Sequence, residues 1–192
     1  MHATLTNPRS DRVRRVRHLL TTTGRRRARA FLVEGPQGVR EATRWAPERV
    51  RDVYLTIEAS QRHPEIVDAS ADSGLYMHLC SPDVVEAMSG DAQGVVAVVD
   101  SQQEARADFT RTGAGGGRFF VGLVHARDPG NVGAIIRAAD AAGAAGVVLT
   151  KGSVSVENPK VVRSTAGSMF HVPIAWGLEP DALIDSAVNS GL

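Results

Sequence analysis

The stretch Asp128-Pro129-Gly130-Asn131-Val132-Gly133-Ala134-Ile135-Ile136-Arg137 combines residue types and spacing that could do chemistry. An apolar run at 119–124 precedes it and a helical pattern at 132–142 follows, so it falls at a strand-to-helix turn. That is the carboxyl edge of a parallel strand, where open α/β sheets bind ligands. Gly130 and Gly133 permit a tight turn and close approach of another backbone or a ligand. Asn131 is expected to cap the helix. Arg137, six residues on, is expected to lie on nearly the same face, so that both address one cleft. An arginine so placed could hold a phosphate or a developing oxyanion through its planar fork. Two other readings compete. A dinucleotide site is disfavoured because Gly130-x-x-Gly133 is not G-x-G-x-x-G. A purely structural role would leave Asn131 as a cap and Arg137 at the surface, paired with Asp140. Spacing alone does not choose between catalysis and structure.

A second concentration of chemistry lies at the start. Arg9, Arg12, Arg14, Arg15, Arg17, Arg25, Arg26, Arg27 and Arg29 all precede Phe31 and are opposed only by Asp11, so the net charge of +1 conceals a basic end and an acidic remainder. Such asymmetry marks a surface for polyanions. Arginine suits phosphate and can stack on bases. Arg12, Arg15, Arg25, Arg26, Arg27 and Arg29 are the candidate contacts, with nucleic acid as the expected partner. The bland alternative is a solvated helix face. Residues 11–20 place Val13, Val16, Leu19 and Leu20 on one side of an amphipathic helix with arginines on the other.

These groups must be held by a fold. Apolar runs at 31–33, 50–56, 75–80 and 95–99 read as strands, alternating with helical patterns at 36–45, 65–71 and 81–88, the last with Ser81 as its expected N-cap. That alternation implies a small α/β domain. Gly113-Ala114-Gly115-Gly116-Gly117 ends a polar stretch that reads as a linker. Beyond it come strands at 119–124, 146–149 and 172–175 and helices at 132–142, 159–168 and from about 181. Strands without polar alternation, separated by helices, argue for a parallel sheet covered on both faces. The expected division is 1–105 as a basic α/β substrate-binding domain, 106–117 as linker, and 118–192 as the second α/β unit.

Composition, with 43% apolar residues, is that of an ordinary globular protein. The one cysteine, Cys80, lies in an apolar run and is read as a buried hydrophobe. A reducing, cytoplasmic setting fits, and no membrane span or secretory signal is found. His18, His63, His78 and His171 show no metal-ligand spacing, so no metal is expected. His125 is expected to pack or cap. Glu34, after the first strand, is expected either to tie down the basic segment or to lie on the surface.

The run from Asp128 to Gly143 resembles the first signature of the SpoU/TrmH branch of the SPOUT methyltransferases, with its Asn-x-Gly-x-x-x-Arg core at Asn131, Gly133 and Arg137. A second segment, Asn158-Pro159-Lys160-Val161-Val162-Arg163-Ser164-Thr165-Ala166-Gly167-Ser168 through His171-Val172-Pro173-Ile174, is similar to the family's following segment. Phe31-Leu32-Val33-Glu34-Gly35 with Val39 and Glu41, and Gln93-Gly94-Val95-Val96-Ala97-Val98-Val99, resemble its accessory substrate-binding domain. The family's later signatures, a Gly-x-Glu segment and an Ile-Pro-Met segment leading to Ser-Leu-Asn-Val, are not identified before Leu192. The expected fold is therefore a small α/β RNA-binding domain followed by an incomplete SPOUT domain, whose parallel sheet is knotted in relatives.

The resemblance implies transfer of a methyl group from S-adenosylmethionine to a ribose 2′-hydroxyl, with ribosomal RNA ahead of transfer RNA as substrate, in a homodimer. Arg137 and Asn131 take the catalytic positions. Because arginine keeps its proton beyond about pH 12, Arg137 is read as a phosphate and alkoxide binder rather than a base, with Asn131 orienting it or the nucleotide. Cofactor-binding residues are left unassigned, and this chain alone is expected not to transfer methyl. The alternative is a non-catalytic RNA-binding protein with a degenerate methyltransferase half.

Overall fold

A computed structural model describes residues 2–102 and 119–189. The expected linker at 106–117 lies outside the described residues.

The first unit is built on a four-stranded sheet of β1 (Ala30–Glu34), β2 (Val50–Thr56), β3 (Tyr76–Cys80) and β4 (Val95–Asp100), in the order β1-β4-β2-β3. The last strand thus returns to the middle. β4 pairs antiparallel with β1 and β2, while β2 and β3 run parallel. Val95 to Val99 are buried along their whole length, because a central strand covered on both faces has no side to give to water. One face packs under α1 (Asp11–His18) and α6 (Pro82–Met88), with Val13, Val16, Leu19, Tyr54, Val84 and Met88 in its core. The other carries α3 (Pro36–Trp45) and α5 (Pro64–Asp72), with Phe31, Val33, Val39, Val53 and Ile66.

Several local expectations are corrected. The basic segment after α1 is a second helix, α2 (Thr22–Ala28), capped by the Thr21 hydroxyl accepting from the Gly24 N–H. Gly24 is required there, since a Cβ would stand 1.9 Å from the His18 carbonyl oxygen. A short helix, α4 (Ile57–Arg62), follows β2 from a Thr56 cap. Ser81 occupies the N-cap position of α6, but its buried hydroxyl makes no hydrogen bond among the described residues. Cys80 is buried, and burial pushes its thiol up to about 11, as befits a packed side chain rather than a nucleophile.

The second unit holds three parallel strands, β5 (Phe120–Leu123), β6 (Gly146–Thr150) and β7 (Ile174–Leu178), in that order. α7 (Pro129–Ala141) and α8 (Pro159–Ser164) cover one face through Val132, Ile136 and Val161. α9 (Pro180–Asn189) lies on the other, where Leu183 packs on Val148 and Ala175. α8 is shorter than the sequence suggests: Ala166 and Gly167 take left-handed backbone, and a single 3-10 turn at Ser168–Phe170 follows. β7 accordingly begins at Ile174 rather than at 172.

Candidate active site and RNA-facing surface

α7 starts from an Asp128 cap, whose carboxylate accepts the Asn131 N–H at 2.7 Å, so Asp128 does the job expected of Asn131. The buried stripe is Val132, Gly133, Ile136 and Ala139. Gly133 lets α8 come close: a Cβ there would stand 2.3 Å from the Ser164 Cβ and 2.9 Å from the Val161 carbonyl oxygen. The motif glycine is therefore a helix-packing residue.

Asn131 and Arg137 both reach solvent. They do not share a face, which corrects the expectation. Six residues at about 100° each leave them about 120° apart around the axis and about 9 Å apart along it. They flank the exposed arc of α7 from opposite sides. Arg137 makes no ion pair or hydrogen bond among the described residues, and Asp140 is engaged with His171 instead. Among the described residues nothing occupies the guanidinium, which is exposed to meet a ligand.

The candidate RNA contacts divide as sharply. Arg12, Arg15, Arg26, Arg27 and Arg29 are exposed. Arg14, Arg15, His18 and Arg27 line one open groove between α1 and α2. Arg12 instead places its guanidinium 3.1 Å from the His78 ring, which accompanies Asp52 at 2.7 Å and stacks on Tyr54. Arg25 is the correction. It is buried and donates to the carbonyls of Leu19 and Leu20 and to the Thr22 hydroxyl, so it pins α1 to α2 and offers no cation to phosphate.

The segment from 157 to 171, which covers most of the second resembling segment, seats the second unit on the first. Val162, Met169 and Phe170 join the core beneath α3. Around them run polar bridges that sequence reasoning missed. The Arg163 guanidinium donates to Glu34 at 2.5 Å and lies 3.0 Å from Asp91. The Ser89 hydroxyl donates to the same Glu34, whose side chain is only 1% exposed. Glu34 is thus neither on the surface nor attached to the basic segment. His171 faces Asp140 of α7 through Nδ1 at 2.9 Å and Glu41 of α3 through Nε2 at 3.1 Å.

Glu157 of the second unit feels the field of Arg25 and Arg49 of the first. Burial raises its carboxyl above the usual range, while Ser101, Arg25 and Arg49 oppose the shift. An acid with a raised folded-state pKa stabilises the fold fully below its ordinary value, and that contribution is lost as pH climbs through the raised one. Glu157→Gln, which removes the charge and keeps a hydrogen-bonding group, should therefore raise Tm at about pH 7. It should leave Tm unchanged near pH 4, around and below the ordinary carboxyl value. Thermal unfolding at the two pH values checks this; a lower Tm at pH 7 would show that the arginines need the charge.

His125 departs from expectation by being exposed with left-handed backbone, its N–H donating to the Thr150 hydroxyl. At the same edge the Ala126 N–H donates to the Ser153 hydroxyl, and Lys151 pairs with Glu179 at 2.7 Å. The bare Gly-x-Glu spacing does occur, at Gly177-Leu178-Glu179, which corrects the expectation that none precedes Leu192. Its acid is the partner of Lys151.

Residues 118–192 match the model of the SpoU rRNA methylase family, and 32–105 match that of the RNA 2′-O ribose methyltransferase substrate-binding domain. The chain belongs to the SpoU family. A SpoU-type relative, the 23S rRNA (guanosine(2553)-2′-O)-methyltransferase RlmP of Bacillus subtilis, is 30% identical over 168 residues, covering 86% of this chain. The chain spans 61% of that relative's length. The SpoU methyltransferase AviRb of Streptomyces viridochromogenes, solved in complex with AdoMet, superposes with a TM-score of 0.74 at 28% identity, over 92% of this chain and 66% of that one. A TrmH-family RNA methyltransferase structure from Porphyromonas gingivalis gives 0.76 at 25% identity, over 95% and 68%. The α/β class and the parallel sheet of the second unit are those of the SpoU fold.

Proposed function

We propose that this protein serves the transfer of a methyl group from S-adenosylmethionine to a ribose 2′-hydroxyl of RNA, with ribosomal RNA as the substrate. One observation carries the reading. The substrate-binding unit, with its basic groove between α1 and α2, is joined by buried polar bridges to the unit whose helix α7 presents Arg137 free to solvent. RlmP of Bacillus subtilis is named for 23S ribosomal RNA, which supports the choice of substrate.

In this reading Arg137 grips the phosphate beside the target ribose and stabilises the alkoxide that forms there. Arginine holds its proton too tightly to act as the base. Asn131, on the other flank of α7, contacts the nucleotide rather than the arginine. Arg15, Arg26, Arg27 and Arg29 hold phosphates without choosing sequence, and the acceptor hydroxyl itself excludes DNA. The polar groups described at the carboxyl edge of β5 and β6 contact one another, and no residue is assigned to the methyl donor. The basic groove by itself also fits a second reading, RNA binding without catalysis.

A homodimer in the cytoplasm completes the proposal, on the strength of the family likeness. Among the described residues no helix is long and apolar enough to cross a membrane.

The test is to express the protein from its intact gene and incubate it with labelled S-adenosylmethionine and unmodified ribosomal RNA. Label in alkali-resistant dinucleotides is expected. RNA binding without label would establish the second reading, and label on a base would overturn the ribose assignment.

A further inference from the structure

Trp45 closes α3 with its side chain in water, 56% exposed, although a polar residue would serve the end of a surface helix equally well. Its ring is not loose. The Arg44 guanidinium lies 5.6 Å from the ring centroid, and the His171 ring meets it edge-on at 5.1 Å and 62°. His171 is in turn fixed by Glu41 and Asp140. The indole is therefore held by one imidazole and by one cation over its ring, with more than half its surface uncovered.

We infer that Trp45 and Arg44 form a subsite for one unpaired nucleotide of the RNA substrate, the base stacking on the indole and its phosphate meeting Arg44. The inference rests on the RNA reading above. Three features favour a nucleotide over an apolar protein partner. Among the described residues the other exposed large apolar side chains, Tyr76, Phe119, Val124, Ile135, Ile184 and Val188, belong to other elements, so α3 presents Trp45 as a single exposed apolar platform. The guanidinium beside it makes no ion pair among the described residues, while the neighbouring carboxylates of Glu41 and Asp140 are turned to His171. An aromatic face with an adjacent arginine is the combination that single-stranded nucleic acid uses. Placement adds the third. Asp140, which holds His171, stands one turn beyond Arg137 on α7, so the platform is fixed relative to the candidate catalytic residue. A base stacked on Trp45 would be splayed from its neighbours, which is how RNA is read where it is not paired.

The chain has two tryptophans, Trp45 and Trp176, so Trp176→Phe leaves Trp45 as the sole indole reporter. In that background, titration with an end-labelled single-stranded oligoribonucleotide should quench indole emission in step with the rise in label anisotropy. A blunt duplex of the same sequence should raise anisotropy with little quenching. Trp45→Ala should weaken single-strand binding roughly tenfold, Arg44→Ala should weaken it less, and Trp45→Phe should retain most of it. Thermal unfolding of each variant separates lost binding from lost fold. Anisotropy rising with emission unchanged, and Trp45→Ala binding as tightly as the parent, would overturn the inference and leave the RNA reading standing. Equal quenching by duplex would overturn the unpaired-base assignment. No rise in anisotropy with any RNA would remove the RNA reading and this subsite with it.

Discussion

Arg137→Ala is expected to lower methyl transfer by roughly a thousandfold, the size of effect seen when one preorganised donor to a developing oxyanion is removed. Stability should hardly change. Arg137 is exposed and makes no ion pair or hydrogen bond among the described residues, and surface substitutions away from special features stay within about 0.5 kcal/mol. The loss should fall on kcat, because the arginine's strongest interaction forms only as charge develops. Affinity for RNA should drop only by the share of one phosphate contact among several. Arg137→Lys discriminates further. An ammonium keeps the charge but not the planar fork, so a bidentate grip predicts a large residual defect. Single-turnover methylation by the intact gene product, alongside its Tm, measures both. Near-normal turnover in the lysine variant would rule out the bidentate role. A normal rate in the alanine variant would remove Arg137 from the chemistry altogether.

That such a prediction can be framed at all reflects which features periodicity reveals. β4 was legible because residues 95–99 are apolar without alternation, the mark of a strand buried on both faces. Its place between β1 and β2 was not, since alternating strands and helices suggest a parallel order and say nothing of a strand returning to the centre. α2 was hidden because Thr22-Thr23-Gly24-Arg25-Arg26-Arg27 has no apolar period. It is held by the Thr21 cap and by an arginine turned inward, and composition assigns arginine to the surface. The shared face assumed for Asn131 and Arg137 fails on helical geometry alone. The bridges at Glu34 and His171 join residues about 130 positions apart, across the two units, so no local pattern announces them. Arg163 lies in the second resembling segment, in the second unit. Its partner in the first unit shows that this segment also joins the units.

Arg163 carries the second large effect. Arg163→Ala should cost about 3 kcal/mol or more, because it strands a carboxylate whose side chain is 1% exposed. For a chain of this length that corresponds to a fall in Tm of roughly 6–12 °C. The Ser89 hydroxyl alone cannot compensate, as one hydrogen bond does not replace a counter-ion in a desolvated site. The pair is asymmetric, and that asymmetry makes the prediction specific. Glu34→Gln removes the buried charge, keeps an acceptor for Ser89, and leaves Arg163 its contact with the more exposed Asp91 at 3.0 Å. It should therefore cost much less than Arg163→Ala. The double variant Glu34→Gln with Arg163→Met should recover most of the loss, since well-packed neutral groups replace buried ion pairs at little cost. Thermal unfolding of the three variants forms the cycle. If Arg163→Ala and Glu34→Gln prove equally mild, Glu34 is not held as a desolvated charge and the joint between the units rests on Val162, Met169 and Phe170 and on the His171 contacts. If the double variant is instead as unstable as Arg163→Ala, the loss comes from packing of the arginine stem on the seam rather than from the stranded carboxylate.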